Sequence, residues 1–166
     1  MSSDWKCLLL VISLSVLAST SYVSHSALEM GWLSEVAYES QKSIDAWSCP
    51  ACKNIRITNQ KSFFSSVANI QGFAGYLPDF SAILLSFRGS VDTKNWIANL
   101  GSAMSTYPGC SGCHVHTGFY VAYKGVSSSV RQAIANLQAQ HRGAPIVITG
   151  HSLGGAMAIL SALDLH

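Results

Sequence analysis

The stretch TGHSLGGAM at residues 149–157 restricts the fold of this chain more than any other feature. Ser152 lies between Gly150 and Gly154, four residues after the end of the apolar run 146–148. A serine in a G-x-S-x-G pattern between a strand and a helix is typical of a sharp, strained turn that exposes the hydroxyl at the edge of a sheet. Side chains at the two glycine positions would collide with such a turn. The pattern therefore predicts a strand, a tight turn with an exposed serine, and a helix.

A serine in this turn is a candidate nucleophile, but it needs partners. Its hydroxyl requires a base to accept the proton, and the oxyanion formed by its attack requires hydrogen-bond donors. The following helix would point its N-terminus at the reacting centre, and the backbone N–H of Leu153 is a natural donor. We expect His151, the neighbour of Ser152, to face away from it and to pack rather than to act as the base.

Hydrophobic periodicity predicts alternating strands and helices along the chain. A hairpin is expected from strands at residues 67–76 and 81–87, and a further buried strand from PIVIT. Helical spacing covers residues 27–46 and, as a longer helix, residues 117–141. Strands that alternate with helices at this spacing predict an α/β fold with a mostly parallel sheet flanked by helices.

Composition excludes two classes of protein. Apolar residues make up 49% of the 166 residues and charged residues only 11%, which argues against a disordered chain. The formal net charge of +2 comes from lysines and arginines that are scattered rather than clustered. The chain therefore does not have the basic surface that nucleic-acid binding requires.

The N-terminus is typical of a secretory signal peptide. A short polar start is followed by an apolar run at residues 7–18 and then by small polar residues. The run is too short to span a bilayer as a helix. We expect a signal peptide over residues 1–27, cleaved between residues 18 and 27, and a secreted domain over residues 28–166. The alternative interpretation is a buried core helix.

Of the five cysteines, Cys7 lies in the predicted signal peptide, and the other four form two C-x-x-C pairs, Cys49 with Cys52 and Cys110 with Cys113. Secretion favours structural disulfides for all four. The alternatives are one zinc ion held by both pairs and a redox site at CPAC. The redox site is disfavoured because no helix start follows CPAC. Four cysteines do not show by themselves whether each pair closes locally or crosses to the other.

Three segments resemble, in the right order, the fungal-type triacylglycerol lipases, which are the class 3 lipase family of α/β-hydrolases. SFRGSVDTKNWIANL at residues 86–100 is similar to the oxyanion and lid segment of the family. The C-x-x-C and H-x-G-F stretch of the family is similar to residues 110–123, CSGCHVHTGFYVAY. Its nucleophile turn is similar to residues 146–158, IVITGHSLGGAMA. The resemblance implies an α/β-hydrolase-type fold.

The resemblance also implies roles for individual residues. Ser152 would be the nucleophile, and Ser90 would give a second oxyanion donor through its backbone N–H, beside that of Leu153. Trp96 would belong to a lid that inserts into a lipid surface or covers the site, and His116 would be structural rather than a base. Local disulfides are implied for Cys110–Cys113 and, by analogy, for Cys49–Cys52.

The partners of the serine are missing from the sequence. In α/β-hydrolases the acid and the histidine of the triad follow the nucleophile, and only Asp164 and His166 follow Ser152 here. Asp164 would lie about 18 Å along the same helix, whereas a hydrogen bond needs about 3 Å. We therefore expect an N-terminal fragment that is C-terminally incomplete and, as written, inactive.

Three hypotheses for the function follow. The first is a serine ester hydrolase that acts on acylglycerols at a lipid–water interface through an acyl-enzyme, with Ser152 as nucleophile. This hypothesis implies neither a metal nor an organic cofactor. The second is a protein that binds lipid surfaces without catalysis. The third is a cysteine-based redox or zinc module.

Overall fold

The computed structural model describes residues 24–91 and 103–166 of the chain. Its helices are α1 (Ser24–Val36), α2 (Gln41–Asp45), α3 (Thr117–Lys124), α4 (Ser127–Gln140) and α5 (Leu153–Leu165). Its strands are β1 (Thr58–Ser65), β2 (Ile70–Leu77), β3 (Ala82–Phe87), β4 (Met104–Thr106), β5 (His114–His116) and β6 (Ile146–Gly150). None of the helices in this part of the chain has the length and apolarity needed to cross a membrane.

A four-stranded sheet in the order β1-β2-β3-β6 forms the centre of the fold. The strand β2 pairs antiparallel with both β1 and β3, whereas β3 and β6 run parallel. The predicted hairpin is confirmed as β2 and β3, and the predicted strand at PIVIT as β6. The sheet of the described residues is mixed, and the parallel pairing expected from strand–helix alternation is that of β3 with β6. A small antiparallel pair, β4 with β5, forms a second sheet.

The strand β3 contributes side chains to a core cluster on each face of the sheet, because successive side chains of a strand point in opposite directions. Ile83, Leu85 and Phe87 belong to the core cluster under α4 and α5. Leu84 belongs to the cluster on the opposite face, which includes Leu33 of α1. Every residue of β3 is buried, as expected for the apolar run AILLSF. The sheet is therefore the middle layer between two layers of helices.

Two predicted helices are each divided in two. The helix expected at residues 27–46 is broken between α1 and α2, where Ser40 caps α2 by accepting a hydrogen bond from the Ser43 N–H at 3.1 Å. The helix expected at residues 117–141 is broken at Gly125. A Cβ at Gly125 would lie 3.1 Å from the Cβ of Ala68, so the tip of the β1–β2 hairpin packs directly against this break.

Two predicted segments cannot be compared with the structure. Residues 1–23 of the predicted signal peptide lie outside the described residues, as does the lid residue Trp96. Both predictions remain sequence-based.

We predict that Leu85→Ala in β3 lowers the free energy of unfolding by about 2–5 kcal/mol, since it leaves a cavity in a core that cannot collapse around it. The side chain of Leu85 is fully buried. The matched control is Val67→Ala on the hairpin tip, where the side chain is 98% exposed. It should change the stability by no more than about 0.5 kcal/mol. Denaturant unfolding of both variants checks the prediction, and similar losses in the two would contradict it.

Candidate active site

Ser152 lies in a strained turn between β6 and α5. Its backbone angles are φ 56° and ψ −120°, a conformation that costs a non-glycine residue about 1–3 kcal/mol. The residue is exposed, and its side chain does not cap α5. The predicted strand, turn and helix are confirmed. The hydroxyl is therefore presented to solvent at the carboxyl end of a parallel strand.

Gly150 and Gly154 allow separate backbone segments to approach each other closely at this turn, because neither residue has a side chain that would lie between them. A Cβ at Gly150 would overlap the carbonyl group of Gly154. A Cβ at Gly154 would overlap the backbone of Phe87 and come within 3.0 Å of that of Arg88. The two glycines thus bring β6, the first turn of α5 and the end of β3 into direct backbone contact.

The segment after β3 lies beside the serine. A Cβ at Gly89 would lie 2.6 Å from the carbonyl oxygen of His151 and 3.3 Å from the Cβ of Ser152. The structure therefore brings Ser90, the next residue, into the neighbourhood of Ser152. Leu153 is the first residue of α5, where a backbone N–H has no acceptor within the helix.

The same segment is tied to the far end of the β1–β2 hairpin. The guanidinium of Arg88 donates from Nη2 to the backbone oxygen of Asn69 at 2.9 Å and to its Oδ1 at 3.0 Å. The backbone N–H of Arg88 donates to the carbonyl of Gln71 at 2.9 Å. Burial lowers the pKa of Arg88, although an arginine stays protonated in proteins. These bonds fix the position at which the chain leaves β3.

His151 is held by Tyr38, a partner that no local sequence pattern indicates. The hydroxyl of Tyr38 lies 2.9 Å from the Nδ1 of His151, and both side chains are exposed. The ring of His151 packs against that of Tyr38 at the surface, with centroids 6.1 Å apart, and also makes a hydrogen bond that the sequence did not predict. Tyr38 gave no signal in the sequence, since its partner lies 113 positions further along the chain.

A groove of about 760 Å³ opens beside the turn, between α1 and the ends of β3 and β6. Its walls include Met30 and Glu35 from α1, together with Ser90 and His151. Three hydrogen bonds attach the helix to the sheet. The hydroxyls of Ser34 and Thr149 lie 2.9 Å apart, the Thr149 hydroxyl donates to the Met30 carbonyl at 3.5 Å, and the Ser86 hydroxyl donates to the Leu33 carbonyl at 2.9 Å. The groove has the position and the size to receive a small organic substrate.

The acidic residue nearest the C-terminus does not belong to this site. Asp164 accepts hydrogen bonds from the hydroxyl of Tyr123 and from Nη1 of Arg131, both at 2.7 Å. Burial and the bond to Asp164 raise the pKa of Tyr123. The carboxylate thus joins α3 and α4 to the last turn of α5, in agreement with the expectation that it does not serve Ser152.

His116 has a structural position at the start of α3. Its Nδ1 accepts a hydrogen bond from the backbone N–H of Phe119 at 3.3 Å, so the imidazole caps the helix. This agrees with the structural role that the sequence resemblance implied.

Both C-x-x-C pairs close locally as disulfides, Cys49–Cys52 and Cys110–Cys113. The first is buried in the core cluster that contains Leu33, and the second closes the turn between β4 and β5. The prediction of structural disulfides is confirmed for both pairs. No group of three or more His, Cys, Asp or Glu residues is arranged for a metal ion in the part of the chain that the structure describes.

A parallel strand pair that leads into a strained, exposed serine and then into a helix defines an α/β-hydrolase-type fold. The family model described as Lipase (class 3) matches residues 84–166, which is half of the chain. The chain belongs to the class 3 lipase family.

Individual relatives agree with this family. A secreted mono- and diacylglycerol lipase A of Penicillium cyclopium is 31% identical over 147 residues, which cover 87% of this chain and 47% of the relative. The solved structure of a Rhizomucor miehei triacylglyceride lipase superposes with a TM-score of 0.72 at 28% identity, covering 87% of this chain and 56% of that one. A triacylglycerol lipase whose catalytic centre is a serine protease triad gives a TM-score of 0.73 at 28% identity, with the same coverage. The chain spans about half the length of these relatives.

We predict that Gly150→Ala lowers the free energy of unfolding by about 1–3 kcal/mol or more, because its Cβ would overlap the backbone at the start of α5. Gly31→Ala on α1 is the matched control, since a Cβ there has no atom within 4 Å. It should leave the stability unchanged or raise it by up to about 1 kcal/mol, as expected for alanine in a helix. Thermal or denaturant unfolding distinguishes the two. An equally stable Gly150→Ala protein would show that the turn can relax around the added methyl group.

Proposed function

We propose that the full-length protein is a secreted serine ester hydrolase that acts on acylglycerols, with Ser152 as its nucleophile. The strained backbone at Ser152 carries the proposal, because it holds an exposed hydroxyl at the head of a helix and next to the segment that follows β3. Strain of this kind persists where the surrounding structure overdetermines it, and it is concentrated at functional sites.

The proposed reaction proceeds through an acyl-enzyme. The Oγ of Ser152 attacks the acyl carbonyl carbon and its proton passes to a general base. The backbone N–H groups of Leu153 and Ser90 donate to the oxyanion of the tetrahedral intermediate. When the intermediate collapses, the ester C–O bond breaks and the alcohol leaves with the proton. Water then gives a proton to the base and attacks the carbonyl carbon of the acyl-serine. The bond between this carbon and Oγ breaks, the fatty acid leaves, and Oγ regains the proton from the base.

The proposal assigns the general base and its orienting carboxylate to parts of the full-length protein outside these 166 residues. The acid and the histidine of an α/β-hydrolase triad follow the serine in the chain. Asp164 follows Ser152 but is bonded to Tyr123 and Arg131 at the far end of α5. The length of the relatives, about twice that of this chain, supports the assignment.

Three observations support an acylglycerol substrate at a lipid–water interface. Relatives are named as mono- and diacylglycerol and triacylglyceride lipases. The groove at the turn is large enough for part of an acyl chain. Leu28 and Val91, which are 51% and 65% exposed, are chain neighbours of groove-lining residues and would face a lipid surface. In this proposal Trp96 belongs to a lid over the groove.

Secretion is part of the proposal. The apolar run at residues 7–18 has the pattern of a signal peptide, and the relative from Penicillium cyclopium is named as secreted. Two disulfides within the described residues favour an oxidising compartment.

We predict that a fluorophosphonate labels Ser152 of the full-length protein, as mass spectrometry of the labelled peptide would show. Ser152→Ala should abolish the labelling and lower the rate of ester hydrolysis by at least about 10⁴-fold, the order of loss expected for a serine nucleophile. Ser128→Ala, at an exposed position on α4, is the matched control and should retain full activity. If the folded protein binds lipid vesicles but is neither labelled nor active, it is a lipid-surface binding protein without catalysis.

A further inference from the structure

Tyr38 lies at the meeting point of the two backbone segments that form the candidate active site. Its hydroxyl is 2.9 Å from the Nδ1 of His151, the residue before Ser152. The same hydroxyl is pressed against Gly89, because a Cβ at that glycine would overlap it. One oxygen atom is therefore in contact with the serine turn on one side and with the segment after β3 on the other.

Gln71 of β2 holds the backbone on both sides of Tyr38 in place. The Nε2 of this buried side chain donates to the carbonyls of Ala37 and Glu39, at 2.9 and 2.7 Å. These are the residues on either side of Tyr38. The carbonyl of Gln71 also accepts the hydrogen bond from the N–H of Arg88. A single residue of the sheet thus anchors both the loop that carries Tyr38 and the point where the chain leaves β3.

We propose that Tyr38 is a positioning residue that sets the distance between the serine turn and the Gly89–Ser90 segment. In this proposal it acts through His151 and Gly89, and its side chain also lines the groove beside the turn. Two oxyanion donors on separate segments stabilise the intermediate only if both reach the same oxygen at hydrogen-bonding distance. A link between the segments that is already present before substrate binds meets this requirement without reorganisation during the reaction. The kinetic part of this inference rests on the proposed hydrolase function.

The test is Tyr38→Phe in the full-length protein, which removes the hydroxyl and keeps the ring. We expect kcat for a short-chain p-nitrophenyl ester to fall about three- to tenfold, the range expected for one hydrogen bond. KM should change by less than about twofold, because an oxyanion contact is made in the transition state and not with the bound ester. Tyr76→Phe is the matched control, since Tyr76 stacks on His141 with ring centroids 3.6 Å apart at the opposite end of the sheet. It should leave kcat unchanged.

A double-mutant cycle separates the hydrogen bond from the general effect of the ring. In a His151→Leu background, Tyr38→Phe should have little further effect on kcat, because the bond is already lost. His151→Asn places an amide nitrogen near the position of Nδ1 and should preserve the dependence on the Tyr38 hydroxyl. Additive losses in the His151→Leu background would overturn the assignment of the effect to this bond.

Hydrogen–deuterium exchange tests the positioning without any need for activity. Tyr38→Phe should make the amides of residues 89–91 and 150–154 exchange about three- to tenfold faster, with the remainder of the sheet unchanged. Unchanged exchange at both segments would overturn the proposal whether or not the protein is an enzyme. If exchange is faster but the wild-type protein neither hydrolyses esters nor reacts with fluorophosphonate, the proposed function fails and the positioning role of Tyr38 stands.

Discussion

The close backbone contact between the end of β3 and the serine turn is the constraint on which the candidate site depends. Gly154 faces the backbone of Phe87, and Gly150 faces that of Gly154, at separations that a single methyl group would prevent. The contact exists because β3 and β6 pair in parallel, with Phe87 opposite Gly150. Both strands then end at the same edge of the sheet, where the chain segments that follow them meet.

The strain at Ser152 is tolerated because several rigid neighbours support the turn. The N–H groups of Gly154 and Gly155 donate to the carbonyls of His151 and Ser152 at 2.8 and 2.9 Å. Below the turn, Leu153 and Met157 of α5 are buried in the core cluster that also contains Phe87. Burial of the Leu153 and Met157 side chains stabilises α5 by more free energy than the strained backbone of Ser152 costs. The conformation of the serine is therefore imposed by packing that extends well beyond the site.

The sequence predicted some elements well because their signals are local. AILLSF is apolar at nearly every position, which indicates a strand buried on both faces, and β3 has this environment. The long helical pattern failed at Gly125 because its periodicity continues across the break, where the chain packs against Ala68 of the hairpin tip, a residue distant in sequence. The role of Tyr38 was not predictable either, because its hydrogen bond to His151 joins residues that no local pattern relates.

By itself, the sequence determined the strand–turn–helix unit around Ser152, the two glycines that the turn requires, and the resemblance to class 3 lipases. These features depend on steric rules that act within a few residues. Only the tertiary structure decided that Tyr38 bridges the turn and the Gly89–Ser90 segment. The physical reason is that such contacts depend on how the layers pack, which brings together groups that are far apart along the chain.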